Sequence, residues 1–229
     1  MLICGFQKFS LLDYPGKISA IIFTGGCNFR CPYCHNPELV KSKKFEEVIS
    51  ERDFFNFLKS RQGQLDAVVI TGGEPTLQKD LLKFIARLKK LGFLVKLDTN
   101  GSYPETIEKI LKLNLVDYLA MDIKAPLEKY KSVVGNASSV REIQKSVKLI
   151  MNWNKEYEFR TTIVKPLLST RDILQIGQEI KGAKMYVLQK FIASKTLDSA
   201  YLNAASYSDA ELQVVQKELK KYVKKCEIR

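Results

Sequence analysis

The stretch ISAIIFTGGCNFRCPYCHNP, residues 18–37, places three closely spaced cysteines directly after an apolar run. The run over residues 18–24 is short and is followed by two glycines, which predicts a buried strand that ends in a turn. The cysteines Cys27, Cys31 and Cys34 follow in the spacing C-x3-C-x2-C. Because thiolates are soft ligands, this cluster indicates zinc or an iron–sulfur centre.

The number of cysteines separates these two interpretations. Four-iron clusters usually take four cysteines, so three would leave one iron open to an exogenous ligand. An open position distinguishes a reactive metal site from a structural one. The alternative is a Cys3His zinc site that uses His35, the single histidine of the chain. The adjacency of Cys34 and His35 makes convergence on one zinc ion awkward, and we therefore favour the iron–sulfur centre.

Five further apolar runs recur along the chain, and helical patterns separate them. Together with residues 18–24, the predicted strands are residues 67–71, 94–97, 117–121, 157–164 and 185–188. The predicted helices are residues 46–60, 78–90, 104–112, 140–153 and 171–181. Strands that alternate with helices predict an α/β fold with a parallel sheet and right-handed crossovers. Six units are fewer than the eight of a closed barrel, so we expect a partial, open (β/α)6 barrel with a C-terminal helix.

Length and composition set the expected domain organisation. The chain has 229 residues, of which 45% are hydrophobic, and this predicts a single domain over residues 1–229. Its core covers about residues 17–191, between an N-terminal segment, residues 1–16, and a C-terminal extension, residues 192–229. Ser208 opens a capping box for a final helix whose apolar stripe reaches Cys226, so we expect that thiol to be buried or half-buried.

The charge and the distribution of the cysteines limit which cellular compartment and which classes of partner are expected. The formal charge of +12 raises the hypothesis of nucleic-acid binding, but the basic residues are scattered over predicted helix faces. We therefore expect a solvated basic surface and no nucleic-acid partner, with docking of acidic electron carriers as the other interpretation. The clustered cysteines are unlike a secreted disulfide framework. The start of the chain lacks a secretory signal and no stretch could cross a bilayer, so we expect a cytoplasmic protein without a membrane partner.

Several predicted strands run into residues that commonly carry chemistry. In barrel-like folds the active site collects where strands end and loops begin. These positions hold a Gly-Gly-Glu-Pro motif at residues 72–75, polar runs at residues 98–101 and 122–124, and Gln189. This pattern indicates an enzyme.

The combination of C-x3-C-x2-C with a later strand that ends in Gly-Gly-Glu-Pro resembles the radical S-adenosylmethionine (SAM) superfamily, over about the first two hundred residues. Within it, the chain resembles activases of glycyl radical enzymes, and among them the second type of anaerobic ribonucleoside-triphosphate reductase activating protein. The residues that carry this closer resemblance are Phe9–Lys17, Cys34–Asn36, Asp98–Gly101, Met121–Lys124 and Arg160. Many such activases carry an inserted domain with extra cysteines; this chain has none, so the resemblance implies one cluster.

The resemblance implies that the cofactors are a [4Fe–4S] cluster and SAM, with a monovalent cation as a further candidate. Cys27, Cys31 and Cys34 would hold the cluster, and the methionine part of SAM would chelate the open iron. The residues implied around SAM are Gly72, Gly73 and Glu74 at its amino group, Lys124 and Arg160 at its carboxylate, and Tyr33, His35 and Asn36 at its adenosine. Asp98 and Asp122 would contact SAM or hold the cation with Thr99. Asn100 and Gln189 complete the set, and Gln189 stands where formate-lyase activases have a histidine.

The resemblance also implies the reaction. A radical SAM oxidoreductase of this kind reductively cleaves SAM to a 5′-deoxyadenosyl radical, which abstracts hydrogen from a glycine of a partner enzyme. Anaerobic ribonucleotide reductase is the leading candidate partner, and a low-potential donor such as flavodoxin or ferredoxin would supply the electron. No catalytic side chain is implied beyond the cluster and SAM. Two other interpretations stay open: a radical SAM enzyme acting on a small molecule, such as a 7-carboxy-7-deazaguanine synthase, and a zinc-bound nucleic-acid-binding module.

Overall fold

The computed structural model describes residues 1–41, 45, 48–135 and 139–229. Its strands are β1 (Ile3–Ser10), β2 (Ser19–Thr24), β3 (Ala67–Gly72), β4 (Leu94–Thr99), β5 (Tyr118–Asp122), β6 (Glu156–Ile163), β7 (Tyr186–Lys190) and β8 (Cys226–Ile228). Its α-helices are α1 (Glu38–Lys41), α2 (Glu51–Ser60), α3 (Leu81–Lys90), α4 (Pro104–Lys112), α5 (Tyr130–Val134), α6 (Val140–Met151), α7 (Thr170–Glu179) and α8 (Asp209–Leu219). Short 3₁₀ turns lie at Pro75–Leu77, Leu127–Lys129 and Ser199–Asn203.

The strands of the described residues form one sheet in the order of the chain, from β1 to β8. β2, β3 and β4 are parallel to one another, and so are β6, β7 and β8, whereas β1 is antiparallel to β2. The sheet is open because β1 and β8 are its two edge strands. The six predicted strands correspond to β2–β7, and the expected open α/β fold with parallel strands is confirmed.

The chain divides into two compact units, and the first comprises Met1–Cys27, Glu38–Thr99 and Glu105–Leu119. In this unit α3 buries one face, formed by Leu81, Phe84, Ile85 and Leu88, whose spacing is that of an amphipathic helix. Tyr14 is also buried, and it packs with Ile21, Ala67 and Val69. Tyr14 of the Phe9–Lys17 motif therefore anchors the connection between β1 and β2.

The second unit comprises Asn28–Pro37, Asn100–Pro104 and Ala120–Arg229. Capping boxes at Ser169 and Ser208 begin α7 and α8, which confirms the capping box predicted at Ser208. The two helices approach closely, because a Cβ at Gly177 would lie 2.4 Å from Cδ2 of Leu219. Glycine at position 177 permits that approach.

The end of the final helix differs from the prediction. α8 ends at Leu219, and Cys226 begins strand β8, where it pairs with Tyr186 of β7. Placing Cys226 on the helical stripe was therefore wrong, since the chain turns after Leu219 and adds a parallel edge strand. The expected burial of the thiol is confirmed, and burial raises the pKa of Cys226 to about 12.

Other boundaries shift by smaller amounts. The helix predicted over residues 46–60 begins at Glu51, because the Ser50 hydroxyl accepts a hydrogen bond from the backbone N–H of Asp53. Residues 46 and 47 lie outside the described residues. The other predicted helices match α3, α4, α6 and α7 to within about three residues. The N-terminal segment forms β1, and the single domain stays a prediction.

No helix in the described ranges has both the length and the apolar character that a membrane span requires.

Candidate active site

The Gly-Gly-Glu motif lies in the first unit, at the point where β3 ends. The register of the parallel pair places Gly72 beside Thr24, so the ends of β2 and β3 meet at one edge. Backbone N–H groups of Gly73 and Glu74 donate to the carbonyls of Thr24 and Gly26, each at 2.8 Å. A Cβ at Gly73 would lie 2.1 Å from the Gly26 carbonyl oxygen. Gly72 has φ +114°, which L side chains rarely adopt. Both glycines are therefore required by the approach of two backbones.

The carboxylate of Glu74 is buried, with 1% of the residue exposed. Its Oε1 accepts hydrogen bonds from the backbone N–H of Thr76 at 3.0 Å, from the Thr99 hydroxyl at 2.7 Å and from the Thr76 hydroxyl. A buried carboxylate is stable only when donors surround it. Thr76 was missed by the sequence analysis, although its place two residues after Glu74 in a strand-end turn is a signal for a capping interaction.

In the second unit, Asp122 at the end of β5, Lys124 just after it and Arg160 within β6 lie together. The Lys124 ammonium donates to Oδ2 of Asp122 at 2.8 Å, and Nε of Arg160 donates to Oδ1 at 2.8 Å. The backbone N–H of Ile123 donates to the Arg160 carbonyl at 2.7 Å, which fixes the two strand ends relative to each other. The sequence analysis predicted all three charged residues, and the structure unites them in one cluster.

Electrostatics hold this cluster ionised. Burial alone would raise the pKa of Asp122, but the positive charges of Arg160 and Lys124 lower it well below its usual range. Burial alone would lower the pKa of Lys124, but the negative charge of Asp122 raises it well above its usual range. Glu158 lies 4.0 Å from Arg160 and also pairs with Arg229 at 3.0 Å. Two cations, Lys124 and Arg160, thus lie beside the carboxylate of Asp122, and ammonium and guanidinium groups of this kind bind ligand carboxylates.

The hydroxyl of Tyr33 lies buried in the second unit without a partner. Within the described part of the chain, it is a buried side-chain oxygen for which no hydrogen bond exists. Burial raises the pKa of Tyr33, and negative charge at Cys31 adds to this effect. An unsatisfied buried hydroxyl costs stability because it loses its hydrogen bonds to water.

We expect Tyr33→Phe to raise the free energy of unfolding of the cofactor-free protein by about 1 kcal/mol, because the change removes only the unsatisfied hydroxyl. Urea denaturation measures this. Tyr186→Phe is the matched control: Tyr186 is equally buried, but its hydroxyl donates to Oγ1 of Thr161 at 2.8 Å. That control should lose about 1 kcal/mol. A loss of stability in Tyr33→Phe as well would contradict the expectation.

Asn100 takes part in a closed set of polar contacts in the second unit. Its Nδ2 donates to Oδ1 of Asn28 at 3.0 Å, and Nδ2 of Asn28 donates to the Ser102 hydroxyl at 3.0 Å. The Ser102 hydroxyl and backbone N–H then donate to Oδ1 of Asn100, at 2.6 Å and 2.9 Å. Asn100 therefore fixes residue 28, which directly follows Cys27. The sequence analysis missed Asn28 and Ser102, because their pairing depends on tertiary contact.

The remaining candidate residues occupy three places. His35 is exposed and stacks on Phe191, while Asn36 is half-buried in the same loop. Gln189 lies in β7 opposite Thr162 and is half-buried. In the first unit, Oδ1 of Asp98 accepts a hydrogen bond from the Lys96 ammonium at 2.7 Å.

The cysteines of the motif lie between β2 and α1. Cys31 is buried, whereas Cys27 and Cys34 are half-buried, and all three are thiols outside any disulfide. Cys27 belongs to the first unit, and Cys31 and Cys34 belong to the second. Across the described ranges, no group of three or more histidine, cysteine, aspartate or glutamate side chains is already arranged around a metal position.

The family model of the radical SAM superfamily matches residues 21–180 of this chain. The chain belongs to this superfamily. It is therefore an enzyme whose cofactors are a [4Fe–4S] cluster and SAM. The matched span includes the three cysteines, the Gly-Gly-Glu motif and the charged cluster around Asp122.

Two relatives show to which family within the radical SAM superfamily this chain belongs. A protein of Methanocaldococcus jannaschii, "Putative glycyl-radical enzyme activating enzyme MJ1227", is 38% identical over 237 residues, which span 100% of this chain and 95% of the relative. The pyruvate formate-lyase-activating enzyme of Streptococcus mutans serotype c is 29% identical over 203 residues, which span 80% of this chain and 73% of the relative. The radical SAM enzyme described here therefore belongs to the family of glycyl-radical enzyme activating enzymes.

A solved structure confirms the fold. The crystal structure of Streptococcus suis SuiB bound to S-adenosylmethionine matches with a TM-score of 0.68 and 15% identity. The match covers 91% of this chain and 51% of SuiB, so this chain spans about half of that protein.

The residues of this radical SAM enzyme fit its cofactors by donor chemistry. Three thiols offer the soft ligands that iron–sulfur clusters take, and three rather than four leave an iron accessible. The two cations beside Asp122 fit the carboxylate of an amino acid. The buried carboxylate of Glu74 fits an ammonium group.

Proposed function

We propose that this radical SAM enzyme activates a glycyl radical enzyme by removing a hydrogen atom from one glycine of that partner. Anaerobic ribonucleotide reductase is the leading candidate for the partner. The observation that carries the proposal is the M. jannaschii relative, which spans the whole chain and whose name describes an activating enzyme. The match to a pyruvate formate-lyase-activating enzyme supports the same class of substrate.

Each predicted site residue has a proposed role toward the cofactors. Cys27, Cys31 and Cys34 hold the cluster as thiolates, which their spacing supports. When bound together, the cluster and SAM supply the reductive cleavage that yields the 5′-deoxyadenosyl radical. The protein binds, orients and shields these groups from water.

The charged residues orient SAM. Lys124 and Arg160 bind its carboxylate, and the position of both cations in one cluster beside Asp122 supports this role. The carboxylate of Glu74 and the backbone of Gly72 and Gly73 receive its ammonium group.

The other site residues surround the rest of the ligand. Tyr33, His35 and Asn36 lie near the adenosine, and Asn100 and Gln189 complete the pocket. Asp98, Thr99 and Asp122 are candidates for a monovalent cation. The formal net charge of +12 is suited to an acidic, low-potential electron donor such as flavodoxin or ferredoxin. The reaction takes place in the cytoplasm.

Transfer of a radical to a purified partner tests the function. The protein is reconstituted with iron and sulfide under anaerobic conditions, reduced, and mixed with SAM and the candidate reductase. We expect a glycyl radical signal by electron paramagnetic resonance, together with an equal amount of 5′-deoxyadenosine. A reductase whose target glycine is replaced by alanine should give no signal. A deazapurine product without a protein radical would contradict the proposal and favour a 7-carboxy-7-deazaguanine synthase. Bound zinc with salt-sensitive nucleic-acid binding would contradict it as well.

A further inference from the structure

The segment that follows β7 packs onto the loop that carries two of the cysteines. We call residues 191–198 the clasp and residues 28–37 the cysteine loop; both lie in the second unit. Phe191 of the clasp is 3% exposed. Its ring stacks on His35, with centroids 5.3 Å apart and planes within 10°, and meets the edge of Tyr33 at 6.3 Å. The clasp therefore contacts the side chains on both sides of Cys34.

Two hydrogen bonds reinforce the stacking. Nε2 of His35 lies 3.0 Å from the carbonyl oxygen of Ile192. The backbone N–H of Asp198 donates to the Pro32 carbonyl at 2.9 Å. A carbonyl can only accept, so Nε2 carries the proton and its lone pair is not available to a metal ion. This geometry gives His35 a role other than that of a ligand through Nε2.

The opposite end of the cysteine loop is held by a different element. The backbone N–H of Arg30 donates to the Val134 carbonyl at 2.8 Å, and Phe29 meets the ring of Tyr130. Before Cys31 the cysteine loop is thus attached to α5, in addition to the contacts of its first residue with Asn100 and Ser102, and around Cys34 it is attached to the clasp. Between the two cysteines the backbone makes a turn in which the Cys34 N–H donates to the Cys31 carbonyl at 3.1 Å.

We propose that the clasp positions the cysteine loop for cluster binding and that His35 is the positioning residue that joins the two. The proposal rests on the proposed ligation of the cluster by the cysteines. Residues that orient metal ligands commonly change metal affinity by 10–100-fold when they are replaced. Short loops with few internal hydrogen bonds belong to the least stable parts of a protein, so contacts made from outside decide their order. The contact between His35 and Ile192 is of this kind, because the two residues are 157 positions apart in the sequence.

The test compares His35→Ala with His35→Gln and with Ile192→Ser. His35→Gln keeps a donor for the Ile192 carbonyl but loses the ring. Ile192→Ser is the matched control, because its side chain is 72% exposed and its backbone carbonyl is retained. Hydrogen exchange of the amides in residues 28–37 is measured on the cofactor-free protein. The rate of iron loss to a chelator is measured after reconstitution, and zinc content is recorded.

We expect His35→Ala to speed both amide exchange in the cysteine loop and iron loss by about tenfold. His35→Gln should lie between His35→Ala and the unmodified protein, and Ile192→Ser should match the unmodified protein. The rate of amide hydrogen exchange in β6 and β7 should not change. A general loss of stability would raise the rate there as well. If His35→Ala loses iron and exchanges its amide hydrogens at the rates of the unmodified protein, the proposed role of the clasp is refuted. His35→Gln behaving as His35→Ala would overturn the role of the hydrogen bond.

The design also separates this proposal from the proposed function. If the unmodified protein holds no cluster after reconstitution, the ligation by cysteines fails, yet the exchange measurement on the cofactor-free protein still tests the clasp. If the unmodified protein holds a cluster and cleaves SAM while all variants match it, the proposed function stands and the clasp is refuted. Loss of bound zinc on replacing His35 would instead show that His35 is a metal ligand.

Discussion

Cys31→Ala is expected to eliminate the iron–sulfur absorption of the reconstituted protein and to lower the yield of 5′-deoxyadenosine by more than about 100-fold. Removal of residues that only orient metal ligands costs 10–100-fold, so removal of a ligand should cost more. If the three cysteines hold the cluster as proposed, the change leaves two thiolates, which is too few for a cluster that usually takes four. Iron and sulfide analysis, visible absorption and quantified 5′-deoxyadenosine under anaerobic reduction measure the effect.

The chain offers a matched control for this experiment. Cys226 is as buried as Cys31, with exposed fractions of 6% and 7%, and it lies in β8. Cys226→Ala therefore removes the same atoms from a buried site without touching the motif, and it should keep both the cluster and SAM cleavage. If both variants lose the cluster, the loss in Cys31→Ala is due to damage of the fold and not to removal of a ligand. A full cluster in Cys31→Ala would refute the proposed ligand set.

Gly73→Ala is expected to destabilise the protein by about 3 kcal/mol or more and to prevent normal assembly of the turn that carries Glu74. The added Cβ would lie 2.1 Å from the Gly26 carbonyl oxygen and 2.6 Å from its carbonyl carbon. These are backbone atoms, so no side-chain rotation can relieve the contact. The clash would separate the ends of β2 and β3 and break the hydrogen bond from the Glu74 N–H to Gly26. Denaturation of the cofactor-free protein measures the effect.

Gly63→Ala separates this steric effect from the general cost of replacing glycine. Gly63 has φ +77°, and a Cβ there would meet no atom within 4 Å. Its replacement should therefore cost only the left-handed backbone penalty of about 1–2 kcal/mol. Equal destabilisation by both variants would contradict the close backbone approach at Gly73. A Gly73→Ala protein of unmodified stability would show that the two strand ends separate easily.

Most of the fold was predictable from local patterns. The strands β2–β7 each consist of a short apolar run that ends at polar or glycine residues, and such runs are visible in a sequence without any knowledge of contacts. The strand β8 was missed because three residues, Cys226–Ile228, are too few to show a periodic pattern. The same stretch continued the apolar spacing of α8, and this spacing led to the wrong placement of Cys226.

The residues of the candidate site were predictable as types but not as partners. Glu74, Asp122 and Lys124 stand at or just after strand ends, where chemistry collects. Arg160 lies within its strand and was found through the family resemblance. No local pattern indicated that Asp122 would bind both cations. Sequence reasoning also missed the donors that satisfy Glu74, since a buried carboxylate selects its partners by proximity after folding.

By itself, the sequence determined the class of this protein: alternating apolar runs predict a parallel α/β sheet, and the three-cysteine motif together with the Gly-Gly-Glu turn indicates the superfamily. These are local features, carried by residues within a few positions of one another. Only the tertiary structure decided which side chains meet. The hydrogen-bonded residues Thr99 and Glu74 are 25 positions apart in the sequence, Arg160 and Asp122 are 38 apart, and His35 and Ile192 are 157 apart. Such contacts arise because parallel strands bring distant chain positions to the same edge of a sheet, and no local pattern encodes that proximity.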